Sequence, residues 1–269
     1  MEFKFKDNYN MEDLISIMEI LRGKDGCPWD KEQDHHSIRK NFIEETYEVI
    51  EAIDNDDPEL LKEELGDVLL QVVFHAQMEA EKNVFNFDDV ANDICRKLII
   101  RHPHVFADVS VKDSAEVLDN WTSIKTLQKG QVTATETLHA VPRQLPALMR
   151  SSKVQFRAKK AGFDYPCASM AFDDLKSEVC ELEQAMQKKD LKNIEEELGD
   201  ILFACVNVCR FYDLESEEVL TKSCDKFINR FTEVEKIAKQ ESISLLESDI
   251  EVLNDLWKKS KRIYDLKKK

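Results

Sequence analysis

Carboxylates recur in this chain at spacings that set them on one side of a helix. Glu45 and Glu48 stand three apart, as do Glu64 and Asp67, and residues at i and i+3 share a helix face. The same four return 133 residues later as Glu178, Glu181, Glu197 and Asp200, with 16 residues from Glu48 to Glu64 and from Glu181 to Glu197. On the second helix of each set the acids interrupt an apolar surface. Projected at about 100° per residue, Leu65, Val68, Leu69, Leu70, Val72 and Val73 cover most of the circumference, while Glu64, Asp67, Gln71 and His75 form one stripe. The later copy puts Glu197, Asp200 and Asn207 in that stripe, amid Ile201, Leu202, Phe203, Cys205 and Val206. A helix apolar nearly all round is expected to be buried. Carboxylates gathered there repel one another and lose hydration, so they need protons or cations. An all-oxygen donor set with little His or Cys suits Mg²⁺ or Mn²⁺ and argues against zinc.

A lone Glu-x-x-Glu on a charged helix is ordinarily solvated surface. Here the acids break an apolar face, and they do so twice. Other pieces repeat as well. Cys95-Arg96-Lys97 followed by Arg101 answers Cys224-Asp225-Lys226 followed by Arg230, and Glu116-Val117-Leu118-Asp119-Asn120-Trp121 answers the run from Glu251 to Trp257. Lys97 and Arg101, like Lys226 and Arg230, lie four apart on one face; beside a metal cluster such a pair suits phosphate oxygens. The tryptophans are candidates either for the core or for stacking on a base. Two tandem copies of one module follow from these matches together.

The elements that must hold these residues read as helical throughout. Only six Gly and six Pro occur, too few for the turns of an all-β or doubly wound α/β protein. Asn10 is placed to cap a helix carrying Leu14, Ile17, Met18 and Leu21, and a loop containing Cys27-Pro28-Trp29-Asp30 follows. Ser37 is expected to cap a helix to about Asp54, with a turn through Asn55–Pro58 into a long helix to about Lys82. Helices near 87–101, stopped by Pro103, and near 114–127 complete an N-terminal module spanning 1–127. Residues 128–145, with Gly130 and Pro142 and no apolar period, read as a linker. The C-terminal module, 146–269, repeats the plan with helices near 146–160, 169–188, 191–212, 216–240 and 248–265.

Composition narrows the partners. The formal net charge is −16, which opposes nucleic-acid polymers and requires a divalent metal before a free nucleotide can approach. No apolar run is long enough to span a membrane, and Met1–Asp7 is too polar for a signal peptide. The seven cysteines show no Cys-x-x-Cys spacing, which points to reduced, mostly core thiols in a cytoplasmic protein. The glycines build no phosphate-cradling loop.

The runs Glu44-Glu45-Thr46-Tyr47-Glu48, Glu63-Glu64-Leu65-Gly66-Asp67, Gly26-Cys27-Pro28-Trp29-Asp30 and Arg101-His102-Pro103-His104-Val105-Phe106 resemble the MazG family of all-α nucleoside triphosphate pyrophosphohydrolases. The resemblance covers about 11–263 and includes the tandem duplication of the longer members. It implies Mg²⁺-dependent hydrolysis of a nucleoside triphosphate between its α and β phosphates, broad across ribo- and deoxyribonucleotides, in a house-cleaning role, by a homodimer of intertwined helical bundles. Carried over by residue, it implies metal ligands at Glu178, Glu181, Glu197 and Asp200, and at Glu45, Glu48, Glu64 and Asp67. Lys226 and Arg230 would hold the phosphates, with Lys97 and Arg101 as their N-terminal counterparts, and Trp257 would touch the nucleoside. Glu178 and Glu196 are both candidates to orient or deprotonate the attacking water. Members commonly carry Asn or Ser where this chain has Cys95 and Cys224. Asn207 on the C-terminal acid stripe faces Phe74 at the matching N-terminal place, and Ser177 stands where the N-terminal copy has Glu44. The family pattern therefore favours the C-terminal copy as the better catalyst.

Three alternatives stay open on sequence: a narrow pyrophosphatase for dUTP, dCTP or a phosphoribosyl nucleotide, a helical interaction module that uses metal for stability, and a di-iron bundle. The last is poorly served, since the only Glu-x-x-His runs, Glu32/His35 and Glu136/His139, fall in expected loops.

Overall fold

A computed structural model describes residues 3–128 and 133–267, without the side chains of Asp119 and Lys267. The chain divides into two compact units, Met1–Lys125 and Thr126–Lys269. Helices are the regular elements of both, with no strand among the described residues.

The first unit opens with α1 (Met11–Arg22), started by a capping box in which Asn10 accepts from the Asp13 N–H and Asp13 accepts from the Asn10 N–H. The Cys27–Asp30 stretch, expected as a loop, is helical as α2 (Pro28–Glu32), because Pro28 stands at a first-turn position where its missing N–H costs nothing. Next comes α3 (Arg39–Asp54). Ser37 does not cap it: Ile38 holds the cap position, and the Ser37 hydroxyl turns back to Asp34 and Gln33. Asp57 caps α4 (Pro58–Ala80) by accepting from the Glu59 and Leu60 N–H groups. After it come α5 (Phe87–Arg101), α6 (Pro103–Phe106) and α7 (Ser114–Gln128), which runs across the division between units. Pro103 both ends α5 and opens α6. Met18 of α1, Ile38, and Val73, Phe74 and Met78 of α4 form this unit's core.

The second unit, Thr126–Lys269, includes the stretch expected to be a linker. Gly130 and its neighbours 129–132 lie outside the described residues, but α8 (Ala134–His139) is fixed by a Thr133–Glu136 capping box and packs on α9 (Ala147–Lys160). Then follow α10 (Ala168–Lys188), α11 (Leu191–Phe211), α12 (Ser216–Gln240) and α13 (Ile250–Lys267). Asp190 caps α11 as Asp57 caps α4, so each unit folds its two acid-bearing helices into a hairpin, α3 on α4 and α10 on α11. The α12–α13 pair has its own core of Val234, Ile237, Ala238 and Leu256.

Two expectations about burial are corrected. Within one chain α4 and α11 are not enclosed all round: Leu65 is 51% exposed and Leu202 57%, with Leu69, Leu198 and Phe203 also open. Each hairpin covers one face of its helix and leaves the opposite apolar face uncovered. The cysteines are not core thiols either. All seven are free; five are exposed, and Cys27 and Cys209 are half-buried.

Candidate functional site

The two hairpins bring the spaced carboxylates together. In the second unit, oxygen atoms of Glu178 (α10) with Glu197 and Asp200 (α11) lie within 4.8 Å of one another; in the first, Glu45 and Glu48 (α3) join Glu64 (α4) in the same way. Glu181 and Asp67 stand just outside these sets. The Ser177 hydroxyl donates to Glu181 at 3.2 Å. Both acids still act on the clusters by charge.

Burial first, then the neighbouring acids, pushes the Glu178 and Glu197 carboxyls above 4.5, with Glu181 the leading charge in each case and Asp200 next. Glu45 and Glu64 are raised for the same reasons, by burial and then by Asp67 and Glu48 respectively. Each cluster therefore holds negative charge at a cost that a bound divalent cation would remove, and its donors are all oxygen. By chemistry and spacing both sets fit such a cation. Glu196, the other candidate for positioning water, is exposed beside Glu197 and outside the set.

A cavity of about 540 Å³ opens beside the second cluster, and Glu178 and Asp200 form part of its wall. Local sequence explains its floor. Past the end of α9, Gly162 adopts φ +87°, in the region where glycine is at ease. The Gly162 N–H closes onto the Lys159 carbonyl and the Phe163 N–H onto that of Ala158. The chain thus swings Asp164 onto α11, where both its oxygens accept from the Arg210 guanidinium. That contact holds the Asp164 carboxyl below 3.8. Arg210 also donates to Asn207 Oδ1 at 2.5 Å, which fixes the amide of Asn207, itself part of the cavity lining. Gln155, in the same lining, is 6% exposed; its Nε2 donates to the Phe203 carbonyl at 2.8 Å, and its Oε1 has no partner. Gln155, Tyr165 and Arg210 were not singled out by sequence reasoning. Only the Gly162-Phe163-Asp164-Tyr165-Pro166 run offered a cue, as a punctuated turn.

The matching place in the first unit is filled. Phe74, 5% exposed, packs in the core, with the Arg22 guanidinium over its ring at 5.3 Å.

The cationic pairs sit apart from the acids. No ion pair or hydrogen bond among the described residues joins Lys226 or Arg230 to the second cluster. Arg230 lies over Tyr264 at 5.2 Å and 3.6 Å from Asp265, while Lys226 is exposed. Trp257 is half-buried against Phe227 and the α12–α13 core, with Lys261 above it. In the first unit Arg101 is 7% exposed and stacks on Trp121 at 5.2 Å, whereas Lys97 is exposed.

Comparison with known proteins bears on both halves. The MazG nucleotide pyrophosphohydrolase domain matches the chain twice, over residues 33–106 and 170–234, intervals that hold both carboxylate sets. The chain is 42% identical to the nucleoside triphosphate pyrophosphohydrolase of Escherichia coli K12 over 254 residues, covering 93% of this chain and 96% of that one. It is 41% identical to the nucleoside triphosphate pyrophosphohydrolase/pyrophosphatase MazG of Thermotoga maritima over 250 residues, 93% and 95% of the two chains. It is also 44% identical, over 247 residues, to a Bacillus subtilis protein named YabN, covering 91% of this chain and 50% of that protein.

Proposed function

This chain belongs to the MazG nucleotide pyrophosphohydrolase family, and from that membership we propose how its acidic clusters serve the reaction. It is a nucleoside triphosphate pyrophosphohydrolase, giving monophosphate and pyrophosphate. The observation that carries the assignment of the site is the Glu178–Glu197–Asp200 cluster in the wall of an open cavity. In this reading Glu178, Glu181, Glu197 and Asp200 hold Mg²⁺ or Mn²⁺, which when bound supplies Lewis acidity to the phosphates and lowers the pKa of water.

The chain's own groups do the rest. Lys226 and Arg230 take the charge of the departing pyrophosphate, and positioning together with electrostatics carries most of such a transfer. Glu178 or Glu196 orients the attacking water. Asn207, in the cavity wall, and Trp257, beside Phe227, are both offered to the nucleoside. The N-terminal set, Glu45, Glu48, Glu64 and Asp67, binds metal with Lys97 and Arg101 nearby in sequence, but contributes less turnover. Support for this asymmetry comes from Phe74, which fills the place that Asn207 leaves polar.

The modules this function needs run 1–127 and 146–269, joined through 128–145. Among the described residues no helix is long and apolar enough to cross a membrane, in keeping with a house-cleaning enzyme of the cytoplasm that acts broadly on ribo- and deoxyribonucleotides. The open apolar faces of α4 and α11 support a homodimer.

Product analysis tests the reaction. With Mg²⁺ and each common ribo- and deoxyribonucleoside triphosphate, monophosphate plus pyrophosphate is expected at comparable rates. Diphosphate plus phosphate would overturn the α–β cleavage. Turnover confined to dUTP or dCTP would replace breadth by a narrow pyrophosphatase, and absence of turnover would leave a metal-stabilised interaction module.

A further inference from the structure

Away from both acid clusters, three side chains of the first unit form a chain of short hydrogen bonds. His35, in the connection between α2 and α3, has its Nε2 2.6 Å from Glu79 Oε1 and its Nδ1 2.7 Å from His75 Nδ1, and both partners lie on α4. The two imidazole rings are parallel to within 8°. Which atoms carry protons follows from the partners. Glu79 also takes the Lys82 ammonium at 2.7 Å; Lys82 first and then His35 hold its carboxyl below 4.5, so near neutral pH it is ionised and only accepts. His35 must therefore carry its proton on Nε2. Neutral His35 then offers a bare Nδ1, and the proton between the rings belongs to His75 Nδ1. One added proton leaves the chain whole, because whichever ring becomes charged still donates to the other. Two added protons do not: both Nδ1 atoms then carry hydrogen, and two like charges face each other at 2.7 Å. Burial first, and then His35, holds the His75 ring below 6.5, in keeping with a pair that resists charging.

The other charged groups around the pair have partners of their own or stand in solvent. Glu81 of the turn after α4 accepts from Arg22 of α1 at 2.7 and 2.9 Å, and Arg22 also donates to the Gln33 carbonyl at 3.2 Å. Asp34 accepts from the His36 and Ser37 N–H groups, while the His36 and Arg39 side chains are exposed. From α3 it is the Phe42 ring that meets His75, at 6.0 Å between centroids. The α2–α3 connection is thus fastened at two places. Arg22 keeps its charge at every accessible pH; the imidazole pair does not keep its neutrality. Three residues beyond His35, Ile38 enters the core beside Val73 and Phe74, and α3 with Glu45 and Glu48 begins at Arg39. The imidazole tie therefore sits at the root of the α3–α4 hairpin. The repeat supplies a control, since at the offset of 133 residues the second unit has Ala168, Val208 and Tyr212 in place of His35, His75 and Glu79.

We propose that the His35–His75 pair, braced by Glu79, is an acid-sensitive latch: it fastens the α2–α3 connection to α4 while at most one imidazole is charged and lets go when both are, loosening the first unit and not the second. Opening frees two imidazoles that each titrate near about 6.5, whereas the closed pair accommodates a single added proton. Release below that pH therefore takes up protons, and the open fraction grows as pH falls, by up to about tenfold per pH unit for each proton taken up. Above it both rings are neutral, open or closed, and pH has no hold on the latch.

Amide hydrogen exchange of the full chain, corrected for the intrinsic rate at each pH, reads the opening. Between about pH 8 and about pH 5, opening in residues 33–42 of the wild type is expected to rise about tenfold or more, while the matching residues 166–175 stay level. His75→Asn puts an amide, which donates or accepts, where Nδ1 stood and gains no charge, so its opening should stay low and lose the pH dependence. His75→Val, the residue at the matching place of the second unit, removes the tie and should open alike at both ends of the range. Glu45 and Glu64 titrate in wild type and variants together and cancel in the comparison. Ring ¹⁵N spectra of the wild type at neutral pH test the same latch without a variant: His35 should be protonated at Nε2 and His75 at Nδ1. Exchange in residues 33–42 that ignores pH, or that rises equally in His75→Asn, would overturn the latch, as would spectra with both rings protonated at Nε2.

Discussion

At the residue scale the two carboxylate sets look alike in sequence but differ in what stands one or two turns further along the helix. Asn207 is held polar and aimed by Arg210, whereas Phe74 is packed under Arg22. Loss of one cluster oxygen charge should therefore matter unequally. Glu197→Gln or Asp200→Asn is expected to lower kcat at least about a hundredfold, the scale of removing one electrostatic contributor from a preorganised site, while Glu64→Gln leaves most of the activity. Equal losses from both sides, measured on the same triphosphate, would end the division of labour. The acids were legible because charge at fixed intervals on an apolar helix is improbable without a purpose. Gln155 was not. Its decisive partner is a main-chain carbonyl on another helix, and neither spacing nor residue type announces such a contact. Arg210 was equally silent, since its value lies in Asp164, 46 residues earlier in the chain.

At the scale of elements, the long helices followed from apolar period, with Asn10 the cap that was read correctly and Ser37 the one that was not, and α4 and α11 carry the stripes read from sequence. What sequence missed were short pieces decided by local hydrogen bonds. Pro28 made a helix where a loop was expected, and a capping box at Thr133 did so within the linker. The turn after α9 matters most, because it ties that helix to α11 through an ion pair whose side chains are mostly covered, 18% exposed at Asp164 and 10% at Arg210. Asp164→Asn should destabilise the second unit by about 1–2 kcal/mol at neutral pH, the range for a hydrogen bond to a charged group less the screening at its exposed edge, as measured by urea unfolding. The sign with pH is fixed. Arg210 holds the Asp164 carboxyl below 3.8, so the contribution is whole above that value and fades as pH falls through the lower, folded-state pKa. The gap between wild type and variant should close in acid; a gap that stays constant there would mean that the pair acts through packing alone.

For the whole molecule, folding a chain of net charge −16 gathers four carboxyls whose protonation is favoured in the folded state: Glu45, Glu64, Glu178 and Glu197. Between 4.5 and their raised values the native chain binds more protons than the unfolded one, so stability without metal declines as pH rises through that window. Asp164, Glu79 and Glu81 are lowered and act only below the ordinary carboxylate range. His75, held below 6.5 by burial and by His35, opposes the trend just under 6.5, one group against four. A divalent cation that binds only the native clusters reverses the loss by mass action: at about a hundred times its Kd it adds about 2.7 kcal/mol, or roughly 5–10 °C in Tm for a unit of this size. Thermal melts in EDTA and in excess Mg²⁺ should therefore diverge as pH climbs above 4.5. Because each unit has its own cluster, Glu64→Gln should reduce the shift of the first unit and Glu197→Gln that of the second. A shift in only one unit would show that the other carboxylate set is not a metal site, and curves that stay parallel across pH would mean that neither set pays its electrostatic cost until substrate brings the metal in.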